Sequence, residues 1–196
     1  MTLTFFVPGT PRPGGSKKPF RIPTTGQIVL TDAGKYTKEW RAVVTHEAFA
    51  AAGGRPLLSD ALNLDVIFFL RRPKGHFGSG KNAGVLKASA RPYPISKPDA
   101  TKLVRALEDA MTGIVWQDDA QIVDQRARKL YTDAEHPTEG ALVVIQVMGA
   151  GENGGSPAGG EDEASDVAFW PEDGKFPFPP GTTIVTQSHT KDPKGE

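Results

Sequence analysis

The nine residues Leu62–Leu70, LNLDVIFFL, constrain this chain most. They alternate at first and then run apolar without a break, which marks a central strand. Two helical patterns flank it. From Lys35 to Ala52 the apolar positions Trp40, Val43, Val44, Ala48 and Ala51 follow helical spacing, and Gly53-Gly54 stops the pattern. From Asp99 to Met111 the apolar set Leu103, Ala106, Leu107, Ala110 and Met111 lies on one helix face. Asp99 is a good N-cap residue behind Pro98, and Gly113 follows the helix. Leu3–Val7, a short Gln27–Leu30, Ile122–Tyr131 and Ala141–Met148 read as further strands. Residues 8–26 and 71–98 read as loops. The expected fold is therefore α/β (α+β), a mixed sheet packed with two main helices.

Length and charge divide the chain. Its 196 residues allow one domain with a core plus a tail. Residues 1–149 hold 20 Lys+Arg against 14 Asp+Glu, and residues 150–196 hold 3 against 9. A basic body with an acidic appendage points to a polyanion partner. The expected boundaries are a domain at 1–149 and a flexible, acidic, Gly/Pro-rich tail at 150–196. Cysteine is absent, which excludes disulfides, thiolate metal sites and cysteine nucleophiles. No run of eighteen apolar residues and no signal-peptide pattern occur, so a cytoplasmic protein is expected.

The chemistry concentrates in KPDATKLVRALEDAMTGIVWQDDAQIVDQRARK, residues 97–129. Hydrolysis of a phosphodiester needs an activated water, neutralised phosphate charge and a stabilised leaving oxygen. Magnesium held by two or three carboxylates serves all three. Asp99 opens the helix, and Asp118-Asp119 head the next strand. The short turn Thr112–Gln117 is expected to bring these ends together around a cation. Arg105 lies one turn inside the helix, within reach of a phosphate. Each residue also has a plainer role open to it: Asp99 as a cap, the acid pair as a turn, Arg105 as a partner of Glu108 or Asp109.

Between Asp65 and Asp99 there is no acidic residue, and seven basic ones fill the gap: Arg71, Arg72, Lys74, Lys81, Lys87, Arg91 and Lys97. With Lys102, Arg126, Arg128 and Lys129 they form the expected DNA-binding set, contacting phosphates without reading sequence. Phe77 and Tyr93 sit among these charges, where they could stack on unpaired bases. Lys17, Lys18 and Arg21 offer a second strip.

The segment resembles the signature of the RusA family of Holliday-junction resolvases, the crossover junction endodeoxyribonucleases of phages and prophages. Asp99 matches the first helix acid and Leu103 the following Leu, while Arg105 takes the basic position. Asp109-Ala110-Met111-Thr112-Gly113 matches the middle of the pattern, and Asp118-Asp119-Ala120-Gln121-Ile122 its end. The opening FVPGTPRPGGSKKPF resembles the family's first strand and Pro/basic loop. The resemblance implies a metal-dependent endonuclease that nicks four-way junctions symmetrically as a homodimer in recombination and repair. Magnesium is the implied cofactor, with manganese as a substitute. Asp99, Asp118 and Asp119 are the implied metal ligands. Those three and Arg105 are the implied catalytic residues, with Asp119 the key member of its pair.

Two departures stand out. The family's second helix acid falls on Thr101, and its usual Lys falls on Arg105, which stays protonated and acts only electrostatically. Thr101 motivates an alternative reading, a catalytically impaired branched-DNA-binding protein of the same fold. Gly75–Asn82 nearly fits a phosphate-binding G-x-x-x-x-G-K-[ST] loop, but Asn82 replaces the hydroxyl and a poor helix pattern follows.

Overall fold

β4 (Leu62–Leu70) forms where the apolar run predicts it, and it lies inside the sheet. A computed structural model describes residues 1–15, 17–32 and 36–149. In chain order they form β1 (Thr2–Pro8), β2 (Lys17–Arg21), β3 (Ile28–Asp32), α1 (Thr37–Ala52), β4, α2 (Ala100–Met111), β5 (Ile122–Tyr131) and β6 (Gly140–Val147). The main sheet has the order β1-β6-β4-β5. β6 runs antiparallel to β1 and β4, and β5 runs parallel to β4. The fold is thus α+β, a mixed four-stranded sheet packed with two helices.

The two helices share one core with the sheet. Trp40, Val44 and Ala48 of α1 and Leu103, Ala106, Leu107 and Met111 of α2 pack with Leu62, Leu64, Val66 and Phe68 of β4 and with Val143 and Ile145 of β6. Alternation is lost in β4 because both of its faces are buried. α1 ends at Gly53, whose left-handed backbone (φ 58°) lets its N–H bond to Phe49 O. Lys35, the first residue of the expected helix pattern, lies outside the described residues, as does the expected tail at 150–196.

The loop expected at 8–26 contains a strand. β2 pairs with β3 from Lys17↔Asp32 to Arg21↔Ile28 as a separate two-stranded sheet. Pro19 hides it in the sequence, since Pro reads as a breaker. In a two-stranded ribbon each strand has an unpaired edge, which tolerates a missing N–H.

Parallel neighbours β4 and β5 require a return crossover, and α2 supplies it. α2 therefore runs opposite to both strands. Its N-terminus lies where β4 and β5 finish, tied there by Lys129 Nζ donating to the carbonyls of Ser96 and Pro98, each at 2.9 Å. Its C-terminus lies where they begin, beside the loop at Leu58.

Candidate active site

Beyond the apolar face of α2, Thr101, Arg105 and Glu108 follow one another at helical spacing, and Thr112, the C-cap, continues the stripe. After Thr112 the chain turns sharply through Gly113 (φ 77°), whose N–H bonds to Trp116 O at 2.8 Å. Trp116 is fully buried. Leu58 N–H donates to Val115 O at 2.8 Å, which pins the turn to the loop before β4. Asp118 then caps a single 3-10 turn, Asp119–Gln121, accepting from Ala120 N–H at 2.8 Å.

Gln121 knots this turn. Its Oε1 accepts from the N–H groups of Gln117 (2.8 Å) and Asp118 (3.0 Å), and its Nε2 donates to the carbonyls of Leu58 (2.9 Å) and Asp60 (3.2 Å). The Asp-Asp-x-Gln spacing thus has a physical reason. The amide holds the acid pair at a fixed place against the start of the sheet.

Asp118 and Asp119 share an open concavity with Asp109 and Thr112. Asp119 Oδ1 accepts from the Thr112 hydroxyl and lies 3.5 Å from Trp116 Nε1. Asp109 pairs with Arg41 of α1. Glu108 stands beside it and accepts from the Gln125 side chain of β5. Asp109, Asp118 and Asp119 thus line an open concavity near the C-terminal end of α2, where the helix dipole is itself negative. Such a place favours a cation.

Burial, and then the charges of Asp119 and Asp109, push the Glu108 carboxyl above its ordinary 4.5, against the opposing pull of Gln125 and Arg105. The folded state therefore favours protonated Glu108, and stability falls as pH rises from the unfolded value through the folded one. Glu108→Gln keeps an acceptor for Gln125 and removes the charge. We expect its Tm to exceed that of the parent near pH 8, with the gap closing below about pH 4. A lower Tm near pH 8 would contradict this account.

Asp99 is elsewhere. The expected convergence of Asp99 with Asp118 and Asp119 does not occur within one chain. Asp99 is the N-cap of α2, and Thr112, which holds Asp119, is its C-cap. Thirteen residues at 1.5 Å each put these ends roughly 20 Å apart. A short turn brings a strand to a helix's C-terminus, not to its start. The Asp99 carboxylate makes no cap hydrogen bond and instead pairs with Lys102 at 3.2 Å. Among the described residues, no three His, Asp or Glu side chains gather around one cation position.

Arg105 is exposed midway along the stripe. The N-terminal loop supports it. Gly14 N–H donates to Lys102 O at 2.7 Å, and Thr37 Oγ donates to Pro13 O at 3.1 Å. A Cβ on Gly15 (φ 79°) would sit 3.1 Å from Arg105 Cδ.

The basic loop at 71–98 is less irregular than its sequence. Gly78 N–H bonds to Val85 O and Lys87 N–H to His76 O, both at 2.9 Å, and Phe77 bridges to Leu86. Lys74–His76 and Gly80–Asn82 are 3-10 turns, and no α-helix follows the second, so a phosphate-binding loop is not built here. Arg71, Lys74, Lys81, Lys87, Arg91, Lys97, Lys102 and Arg126 are exposed, as is Tyr93; Phe77 is half-buried. Several cations of the expected set are engaged internally. Lys129 ties the loop to β5. Arg72 stacks over Tyr131 at 4.6 Å and donates to Arg91 O at 3.1 Å. Arg126 stands 4.0 Å from the buried Asp65, and burial lowers the Arg128 guanidinium from its ordinary range.

The sequence of this chain matches known proteins. The family model for the endodeoxyribonuclease RusA matches residues 8–139. The chain is also 28% identical over 144 residues to an uncharacterized protein, YqaN, of Bacillus subtilis (strain 168). That match covers 67% of this chain and 89% of YqaN.

Proposed function

Because this chain belongs to the RusA endodeoxyribonuclease family, we propose that it resolves four-way DNA junctions by symmetric, magnesium-dependent nicking as a homodimer. A role in recombination and repair belongs to this reading, as does a division into a nuclease domain at 1–149 and an acidic tail at 150–196. RusA nucleases act on branched DNA and generally depend on a divalent metal. The finer statements rest on one observation. An acidic concavity lies at one end of α2, and an acid-free basic loop leads to Asp99 at the other.

Magnesium takes few protein ligands and keeps several waters, so Asp118 and Asp119 suit it as a partial set. Bound there, such an ion would lower the pKa of a water and neutralise charge on a phosphate. A single chain leaves this set incomplete, since its own Asp99 is out of reach. A two-fold partner can supply a second Asp99 beside the acid pair, and by symmetry receive one. A junction with two-fold symmetry then meets two matched sites. Arg105, between the two ends, acts electrostatically on the charge building on a phosphate oxygen. The exposed loop cations hold the arms by their phosphates. Tyr93, exposed among them, is placed for stacking on an unpaired base.

The test is cutting of a synthetic four-way junction by the full chain. Paired nicks are expected with magnesium, or with manganese as a substitute, and none with chelator. Equal cutting of linear duplex would remove the junction reading. Tight junction binding with no product in any metal would establish the alternative that Thr101 motivates, a binding protein of the same fold.

A further inference from the structure

We infer that Thr112 and Trp116 are positioning residues for Asp119, a role that rests on reading Asp119 as a catalytic acid. The indole of Trp116 is fully buried, so its N–H must find a partner inside the protein. That partner is the Thr112 hydroxyl, at 3.2 Å. The Thr112 hydroxyl has one proton and two acceptors in reach, Asp119 Oδ1 and Glu108 O, the latter at 3.1 Å. An ionised carboxylate is the stronger acceptor. With the indole N–H on a hydroxyl lone pair, the proton points to Asp119. Trp116 N–H therefore donates to the Thr112 oxygen, and Thr112 O–H donates to Asp119 Oδ1.

These two bonds fix orientation as well as charge. Every side-chain contact on Asp119 falls on Oδ1, and no described residue hydrogen-bonds Oδ2. The backbone just before Asp119 is held separately, by Gln121 Oε1 accepting from the N–H groups of Gln117 and Asp118. Swinging the carboxylate out of this position would cost it the Thr112 hydroxyl, whose oxygen the buried indole holds in place. Oδ2 is thereby kept as the oxygen available to a ligand in the concavity that Asp119 lines. The indole cannot follow a moving carboxylate, because its ring belongs to the core.

A purely structural role is the competing account, since Thr112 also bonds back to the helix. Three variants of the full chain separate the two: Thr112→Val, Thr112→Ser and Trp116→Phe. Thr112→Val keeps the shape and removes the hydroxyl. It should bind the junction as the parent does, need more magnesium for half-maximal cutting and lose on the order of 10–100-fold in kcat with KM little changed. Thr112→Ser should recover most of that loss. If valine cuts like the parent, or serine is no better than valine, the positioning role is wrong.

A readout without activity completes the test. The indole N–H resonance of Trp116, identified by its loss in Trp116→Phe, should move in both Thr112→Val and Asp119→Asn. No movement in Asp119→Asn would show that the relay does not reach the carboxylate. Should Trp116→Phe fail to fold, the same resonance is identified in the parent by its through-space contacts to the methyl groups of its core neighbours. Asp119→Asn in the cutting assay separates the two levels. If it cuts normally, the reading of Asp119 fails. If it is dead while Thr112→Val is normal, only the positioning role fails.

Discussion

Asp99→Asn and Asp119→Asn should each abolish junction cutting alone, yet cut again when the two inactive proteins are mixed and allowed to exchange subunits. The expectation follows from α2. Its two ends are roughly 20 Å apart, Asp99 caps one, and Thr112 at the other holds Asp119. No single cation can touch both within a chain. If both acids act at one phosphate, they come from different subunits. In a mixed dimer, one site then brings the two substituted positions together and is dead. The other combines native Asp99 from one subunit with native Asp119 from its partner and is whole. Random exchange at equal concentration gives about half mixed dimers, each with one working site, so nicking should return to about a quarter of the parental rate. The single variants should fall on the order of 10³-fold. Products of the mixture should be single nicks instead of paired ones. If mixed dimers, isolated by different tags, stay silent, the sites are not shared. A monomer in solution would refute the same idea.

The regular elements are legible in the sequence because their periods are strong. β4 shows as an apolar run, and α1 and α2 show as apolar faces closed by Gly53 and Gly113. β2 is not legible, because Pro19 among lysines looks like loop, and only its pairing with β3 makes it a strand. At the site, the acid pair and its turn are legible and the placement of Asp99 is not. Turn length determines which end of a helix meets the next strand, and a helix start is carried away by its own rise. Direction in the sheet decides the rest, and no local pattern states that β5 is parallel to β4. The uses of Gln121 and Trp116 are also hidden. Each sits at an informative spacing, three residues after Asp118 and four after Thr112. What makes them matter is a buried partner, which only packing reveals. The basic loop shows the converse limit. Its charge is plain from the residues, but sequence does not say that Lys129 and Arg72 bind their own chain.

The Pro-Gly-Gly stretch before β2 reads as spacer, and Gly14→Ala should show that it is not. A Cβ on Gly14 would lie 2.9 Å from Ala106 Cα and 3.1 Å from both Ala106 N and Cβ. These are helix backbone and core atoms, so the loop must give way. The loop has little room to do so. It is clamped by Gly14 N–H on Lys102 O and by Thr37 Oγ on Pro13 O. Overpacking of this kind costs about 1–3 kcal/mol, or roughly 3–10 °C in Tm for a domain of this size. Function should suffer further, because the next residue, Gly15, is the surface on which Arg105 lies. Well below its Tm, Gly14→Ala should still cut slower than the parent while binding the junction almost as well. Gly75→Ala is the matched control. Its Cβ would meet nothing within 4 Å, and its φ is not positive, so its stability should stay within about 0.5 kcal/mol of the parent. Equal Tm values for the two variants would mean that the loop does not press on α2 at all, and Arg105 would then owe its placement to the helix alone.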